Sequence, residues 1–242
     1  MKRLLYFLLL MSTIALPSCK QNTDIDLTDG SDSTDIGLRP QSSAPGFGDS
    51  KARPLGTLFV YPAGIKVVDK PRHDYACWQE SVEKNTRLGG GGMVQFCVSF
   101  QNTTNGPIKL EFPPKTIWIA ENLSMQNGVN FKWIKVVVPA QSVLVCHINA
   151  FCINPPRSPT DLGEQYQSQP IISNHPGLDE LVQLVATKKI DFVDYGTTIQ
   201  NSDVKVFTEA FVAGQVAAED IAREGRLSSE AKQRIAALPD IK

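Results

Sequence analysis

The sequence predicts an α+β fold: a mainly antiparallel β-sandwich over residues 54–153, then two or three helices within residues 154–242. Three observations predict it. Residues 94–101 alternate Val94, Phe96, Val98 and Phe100 with Gln95, Cys97, Ser99 and Gln101, the period of two of a strand with one buried face. At least seven short runs of this kind are separated by Pro, Gly and Asn turn signals, which argues for a sandwich over a parallel sheet. Beyond residue 175 the apolar spacing lengthens to three and four, the interval of helices.

Residues 58–61 and 65–68 read as two early strands around the turn Pro62, Ala63, Gly64. Residues 93–101 form the clearest strand, and a turn follows at 102–107. Residues 108–112 and 116–120 are two more, parted by Pro113 and Pro114, which cannot donate to a ladder and so mark an edge or corner. Residues 131–138 and 143–151 flank 139–142 and predict a hairpin. Residues 154–169, with Pro155, Pro156 and Pro159, read as an irregular connector. A helix starts at Pro176, capped by Asn174 or His175, with Leu178, Leu181, Val182 and Val185 on one stripe. A second runs from about Ser202 towards Glu224, weakened at Gly214 and stopped at Gly225. A third begins at Ser228 or Ser229, carries Ala231, Ile235 and Leu238 on one face, and ends at Pro239. Their apolar faces are narrow, so the helices are expected to pack on the sandwich.

The N-terminus carries an address. Lys2 and Arg3 precede an apolar run over residues 4–16, too short to span a bilayer comfortably and flanked like an export signal. The run ends in Leu16, Pro17, Ser18, Cys19, which resembles the lipobox of bacterial lipoproteins, with Pro17 a departure from the usual small residue. The resemblance implies removal of residues 1–18, lipid attachment at Cys19, and a membrane partner through that lipid. Lys20, where retained lipoproteins of some bacteria carry Asp, implies an outer-membrane destination. Residues 19–53 are dense in Asp, Ser, Thr, Gly and Pro and read as a disordered tether, with a reach of roughly 30 to 35 Å.

With Cys19 assigned to lipid, Cys77, Cys97, Cys146 and Cys152 remain, an even number in an exported chain. Four cysteines allow three pairings. If residues 143–152 are one strand, Cys146 and Cys152 lie about 20 Å apart. The preferred pairing is therefore Cys97 with Cys146 and Cys77 with Cys152; the alternative leaves one or both pairs reduced as buried apolar residues.

The middle region resembles the immunoglobulin-like or fibronectin-like accessory domains of bacterial surface proteins. The residues that carry the likeness are Phe96, Val98, Phe100 and Asn102 before a turn, and Val138, Pro139 and Ala140 leading into a strand. Cys97, Trp118 and Cys146 follow the cysteine, tryptophan, cysteine order of antibody domains, at other spacings. The likeness implies architecture and transfers no site residue.

A formal net charge of -1 gives no cationic face for nucleic acid, so no nucleic-acid partner is expected. No motif calls for a metal or cofactor. His73, His147 and His175 lie far apart and in no metal-ligand spacing. Cys146 beside His147 looks like a thiol with its base, yet strand neighbours point to opposite faces. Residues 89–92 are four glycines without the Lys and Ser or Thr of a phosphate cradle, and read as a flexible hairpin loop. Trp78, Trp118 and Trp133 would form a stacking platform only if exposed together. Trp118 points opposite to Ile117 and Ile119, so one set is expected to face outward. Two functions follow. The first is a lipid-anchored, non-catalytic binding or structural module that holds an envelope protein or an extracellular glycan or protein ligand. The second is a periplasmic or surface hydrolase in which carboxylates such as Asp74, Glu80, Asp161 and Glu164 converge.

Overall fold

The computed structural model describes residues 44–196 and 201–241. The expected signal segment, Cys19 and the tether as far as residue 43 lie outside the described residues. Within them the fold is mixed α and β with mainly antiparallel strands: β1 Gly56–Leu58, β2 Ile65–Val67, β3 Leu88–Gly89, β4 Val94–Asn102, β5 Ile108–Phe112, β6 Thr116–Trp118, β7 Gly128–Asn130, β8 Ile134–Val138, β9 Val143–Cys152 and β10 Ile171–Ser173. Four helices accompany them: α1 Tyr75–Glu83, α2 Pro176–Val185, α3 Asn201–Glu224 and α4 Ser229–Ala236. None of the described helices is long and apolar enough to cross a membrane.

The expected sandwich resolves differently. Eight strands form one curled sheet in the order β1-β10-β6-β7-β9-β4-β2, with β3 lying parallel on β9, while β5 and β8 pair only with each other. Residues 139–142 therefore do not close a hairpin: β8 pairs with β5, and β9 pairs with β4 and β7. Nor do β1 and β2 meet across Pro62–Gly64, since β1 joins β10 and β2 joins β4. Pro113 and Pro114 turn the chain out of the ribbon at the end of β5, as their missing donors require, and Lys115 follows at φ 69°.

The pleat sorts the core into two. On one face Phe96, Phe100, Leu110, Phe112, Trp118, Ile134, Val138 and Ile148 pack beneath the β5–β8 ribbon. On the other, Ile117, Ile119, Val129 and Phe151 meet Leu178, Leu181, Ala217, Ile221 and Ile235 of the helices. Both Trp118 and its isoleucine neighbours are buried, so neither set faces outward as expected: the short β6 is covered on both sides.

The three C-terminal helices form where their signals lie. Pro176 opens α2, and the His175 ring caps it by accepting from the Gly177 amide at 3.1 Å. Ser228 caps α4 through the Ala231 amide at 3.1 Å. α3 runs unbroken past Gly214. A Cβ there would stand 2.3 Å from the Phe151 ring, so glycine is what lets helix and strand approach. Gly225, at φ 72°, follows the last residue of α3.

Two further expectations are corrected. Residues 44–53 belong to the body: Phe47 is 1% exposed in the helix-side core, and Asn154 donates to the carbonyls of Gly46 and Gly48. Asn127 also donates to Gly46, and Arg157 to Ser50. Phe47, the one aromatic residue in the stretch, is the reason the chain orders there. The glycines at 89–91 are buried, with Gly89 in β3, because a side chain there would strike the Asn149 or Ala150 carbonyl of β9 or, at Gly90, the Ile190 carbonyl.

Candidate functional site

The sequence predicts no element over residues 69–88, and there the structure places a helix that packs over buried polar side chains of β9. Residues 75–83 hold neither Gly nor Pro, and Asp74 accepts from the Cys77 amide at 3.0 Å, so a capped helix, α1, forms. Just before it, Arg72 exchanges two backbone hydrogen bonds with Cys97 of β4, at 3.0 and 2.8 Å. Cys77 is bonded to Cys97, their Cα atoms 6.5 Å apart, and this bond pins α1 to the sheet.

Register explains the pairing. Cys97 stands opposite His147, and Cys146 stands opposite Val98. Opposite residues of an antiparallel pair share a face, so Cys97 and Cys146 point to different sides of the sheet and cannot bond. The preferred pairing of Cys97 with Cys146 and Cys77 with Cys152 is thereby overturned. Cys146 and Cys152 are buried and outside any disulfide, as the reduced alternative had it. Burial pushes the Cys146 thiol up to about 12, where it is no nucleophile.

His147 is 2% exposed on the α1 side. Its Nδ1 lies 3.3 Å from the Asn149 amide nitrogen, and its Nε2 is buried without a hydrogen-bond partner. Burial above all, with the charges of His73 and Arg87, pushes its pKa down to about 4, so the ring is neutral at ordinary pH. His73 Nδ1 and Arg87 Nε are likewise buried and unpartnered. An orphaned polar atom of this sort costs about 1–3 kcal/mol, so three in one place mark a region not optimised for stability. The Arg87 guanidinium lies 4.1 Å from the Phe192 ring, in the 3-10 turn Phe192–Tyr195.

A carboxylate pair sits at that turn. Asp194 accepts from the Ile190 and Asp191 amides, both at 2.9 Å, and from Lys132 at 2.8 Å. Asp191 beside it is 2% exposed, and one of its oxygens is orphaned. Burial first, then the Asp194 charge, pushes its pKa up to about 7 against the pull of Lys132.

The other named residues scatter. His175 is a helix cap. Trp118 is in the core, donating to Asn130 at 2.9 Å, Trp78 is half-buried on α1, and Trp133 is exposed beside the ribbon, so the three tryptophans do not form one platform. Asp74, Asp161 and Glu164 do lie along one strap, since the His73 amide donates to the Glu164 carbonyl and Gly163 donates back to His73. Each is occupied: Asp74 caps α1, Asp161 holds the Leu162 amide, and Glu164 accepts from Asn122. Glu80 pairs with Lys84 on the outside of α1. An open cleft of about 590 Å³ beside β1 is lined by Arg53, Leu55, Leu58, Glu121, Gln167 and Gln169, and another of about 370 Å³ lies between α3 and α4. Neither is lined by those four carboxylates. Among the described residues no three His, Cys, Asp or Glu side chains are placed to hold a metal ion.

Arg87, Asn149, Asp191 and Asp194 were missed. The Asp191, Asp194 spacing after an apolar residue is a cap signal, and Asp74 three residues before Cys77 is another; both were available to find. No known protein family, curated protein or solved structure matches this chain.

Proposed function

We propose that the chain is a lipid-anchored protein of a bacterial envelope, fastened through Cys19, whose body is a non-catalytic binding or structural module for another envelope component or an extracellular ligand. The observation that carries this reading is the run from Lys2 and Arg3 through the apolar stretch to Leu16, Pro17, Ser18 and Cys19. The Cys77–Cys97 bond supports it, because disulfides persist in exported proteins and rarely elsewhere. The lipid replaces a membrane-spanning helix, at about 0.8 kcal/mol for each methylene buried.

Labelled palmitate is the direct test. It should enter the wild-type chain and not a Cys19→Ser variant, and globomycin should block processing; unlabelled wild-type protein ends the proposal. The tether test follows the corrected boundary. Removing residues 20–43 spares Phe47 and its contacts, so the body should fold and yet lose any partner captured from envelope extract by the full-length chain. Undiminished capture would mean that reach plays no part.

A further inference from the structure

β1 ends the sheet. It pairs on one side, with β10, in the register Gly56 to Ser173, Thr57 to Ile172 and Leu58 to Ile171. The Leu55 carbonyl accepts from the Asn174 amide at 3.3 Å and the Phe59 amide donates to the Pro170 carbonyl at 2.9 Å, so the odd-numbered residues turn their backbone groups to β10. The alternation of an extended chain then turns the N–H and C=O groups of Gly56, Leu58 and Val60 outward. Among the described residues nothing pairs with them. Pro54 and Pro62 bound this edge, yet between them it carries no charge to blunt it and shows Leu55, Leu58 and Val60 to water.

Beside the edge lies the open cleft of about 590 Å³. Leu58 stands opposite Ile171 and shares its face, and both line the cleft with Glu121, Gln167 and Gln169. The site is preformed: Gln169 donates to the Phe59 carbonyl at 3.0 Å, and the Tyr61 hydroxyl to the Ser168 carbonyl at 2.6 Å. Charge along it is positive. Arg53 lines both this cleft and an adjoining hollow of about 130 Å³, which Lys51 and Arg157 line as well. Glu121 is the carboxylate there, and Lys70 already neutralises it at 2.9 Å. Arg53 donates to the Gln167 side-chain oxygen at 2.6 Å, and among the described residues neither it nor Lys51 meets a carboxylate.

We propose that the outer edge of β1 and this cleft bind an extended, acidic peptide segment of another envelope protein, which adds to the sheet as a strand and sets carboxylates against Arg53 and Lys51. The proposal rests on the reading of the body as a binding module. Backbone hydrogen bonds to Gly56, Leu58 and Val60 supply affinity and register, an aliphatic side chain laid on Leu58 covers the exposed leucine, and the two cations select the sign of the charge. A second copy of the chain does not meet that charge. Paired antiparallel about Leu58, it sets Ala63 opposite Arg53.

The probe is the end-capped peptide Asp-Val-Asp-Val-Asp-Val, added to the full-length chain beside its counterpart with Lys in place of Asp. Amide exchange at Gly56, Leu58 and Val60 should slow on saturation with the acidic peptide and not with the basic one. Leu58→Pro removes one outward N–H, leaves the ladder to β10 in place, and should weaken binding by about tenfold or more. Lys51→Glu with Arg53→Glu should weaken the acidic peptide by about tenfold and favour the basic one. No slowing, slowing elsewhere than along β1, equal binding of the two peptides, or an unaffected Leu58→Pro variant each overturns the proposal. So does slowing that rises with protein concentration alone, the mark of a second copy. Capture from envelope extract separates this site from the reading beneath it. A partner held equally by the wild type and by Leu58→Pro overturns the site and leaves the binding module standing; a wild type that holds none overturns the module and the site with it.

Discussion

The two faces of β9 are built on opposite terms. On one, Cys146, Ile148 and Ala150 lie in an apolar core under the β5–β8 ribbon, with Phe96 and Trp118 beside them. On the other, Val145 is exposed, His147 and Asn149 are buried polar residues, and only Phe151 returns to an apolar environment. The first face is held by area removed from water. The second is closed by a nine-residue helix that contributes little apolar surface, with Ser81 its buried residue, and is kept down by a covalent bond. A strand can thus be stable on one side and conditional on the other.

The largest effect should come from emptying the apolar face. Phe96→Ala should cost about 3–5 kcal/mol, read as the shift in urea midpoint, and a loss under 1 kcal/mol would mean the ribbon is not the stable half. Cutting the clip by Cys77→Ser with Cys97→Ser should cost about 3 kcal/mol for a loop of this size. Here amide exchange sharpens the comparison: protection should vanish over residues 75–83 and persist at Phe96 and Val98, whereas uniform loss would make the two faces one cooperative unit. Gly214→Ala, which drives a methyl into Phe151, should cost about 1–3 kcal/mol without touching α1.

A smaller and more specific effect is the response to pH. An unfolded His147 takes a proton near pH 6.5 that the folded site refuses until about 4, so its contribution falls as pH drops through that window. Asp191 works in reverse: the folded chain keeps a proton up to about pH 7 that the unfolded chain releases near 3.8, so stability falls as pH rises between them. The two windows overlap and their slopes oppose, so between about pH 4 and 6.5 His147→Gln should make stability fall more steeply as pH rises and Asp191→Asn should make it rise more steeply; unchanged curves would mean neither group is as buried as described. Smallest is Asp74→Ala, which removes the cap of α1 and should cost about 1 kcal/mol.

Periodicity made the apolar half legible. The alternation of residues 94–101 reads directly as the inward and outward sides of β4, and proline, serine and glycine mark the helix ends at Pro176, Ser228 and Gly225. Partnership was not legible. Nothing local in β8 and β9 says that the turn between them leads away from a hairpin, because β8 finds β5 across two intervening strands. The disulfide was misread for the same reason: face, set by register, decided it, and register is a property of two strands at once. The polar cluster hid behind α1, whose apolar stripe is weak because the helix covers polar residues.

The clasp on residues 46–50 carries a mechanical consequence. Asn127, Asn154 and Arg157 grip that segment where β7 and β9 run into their loops, in the middle of the sheet order and away from either edge. Tension arriving along the leading end of the polypeptide would load several hydrogen bonds and the seated Phe47 ring together, in shear, instead of peeling an outer strand one bond at a time. If the body is hung by that end, as proposed, it should resist a steady tug there better than one at its far end.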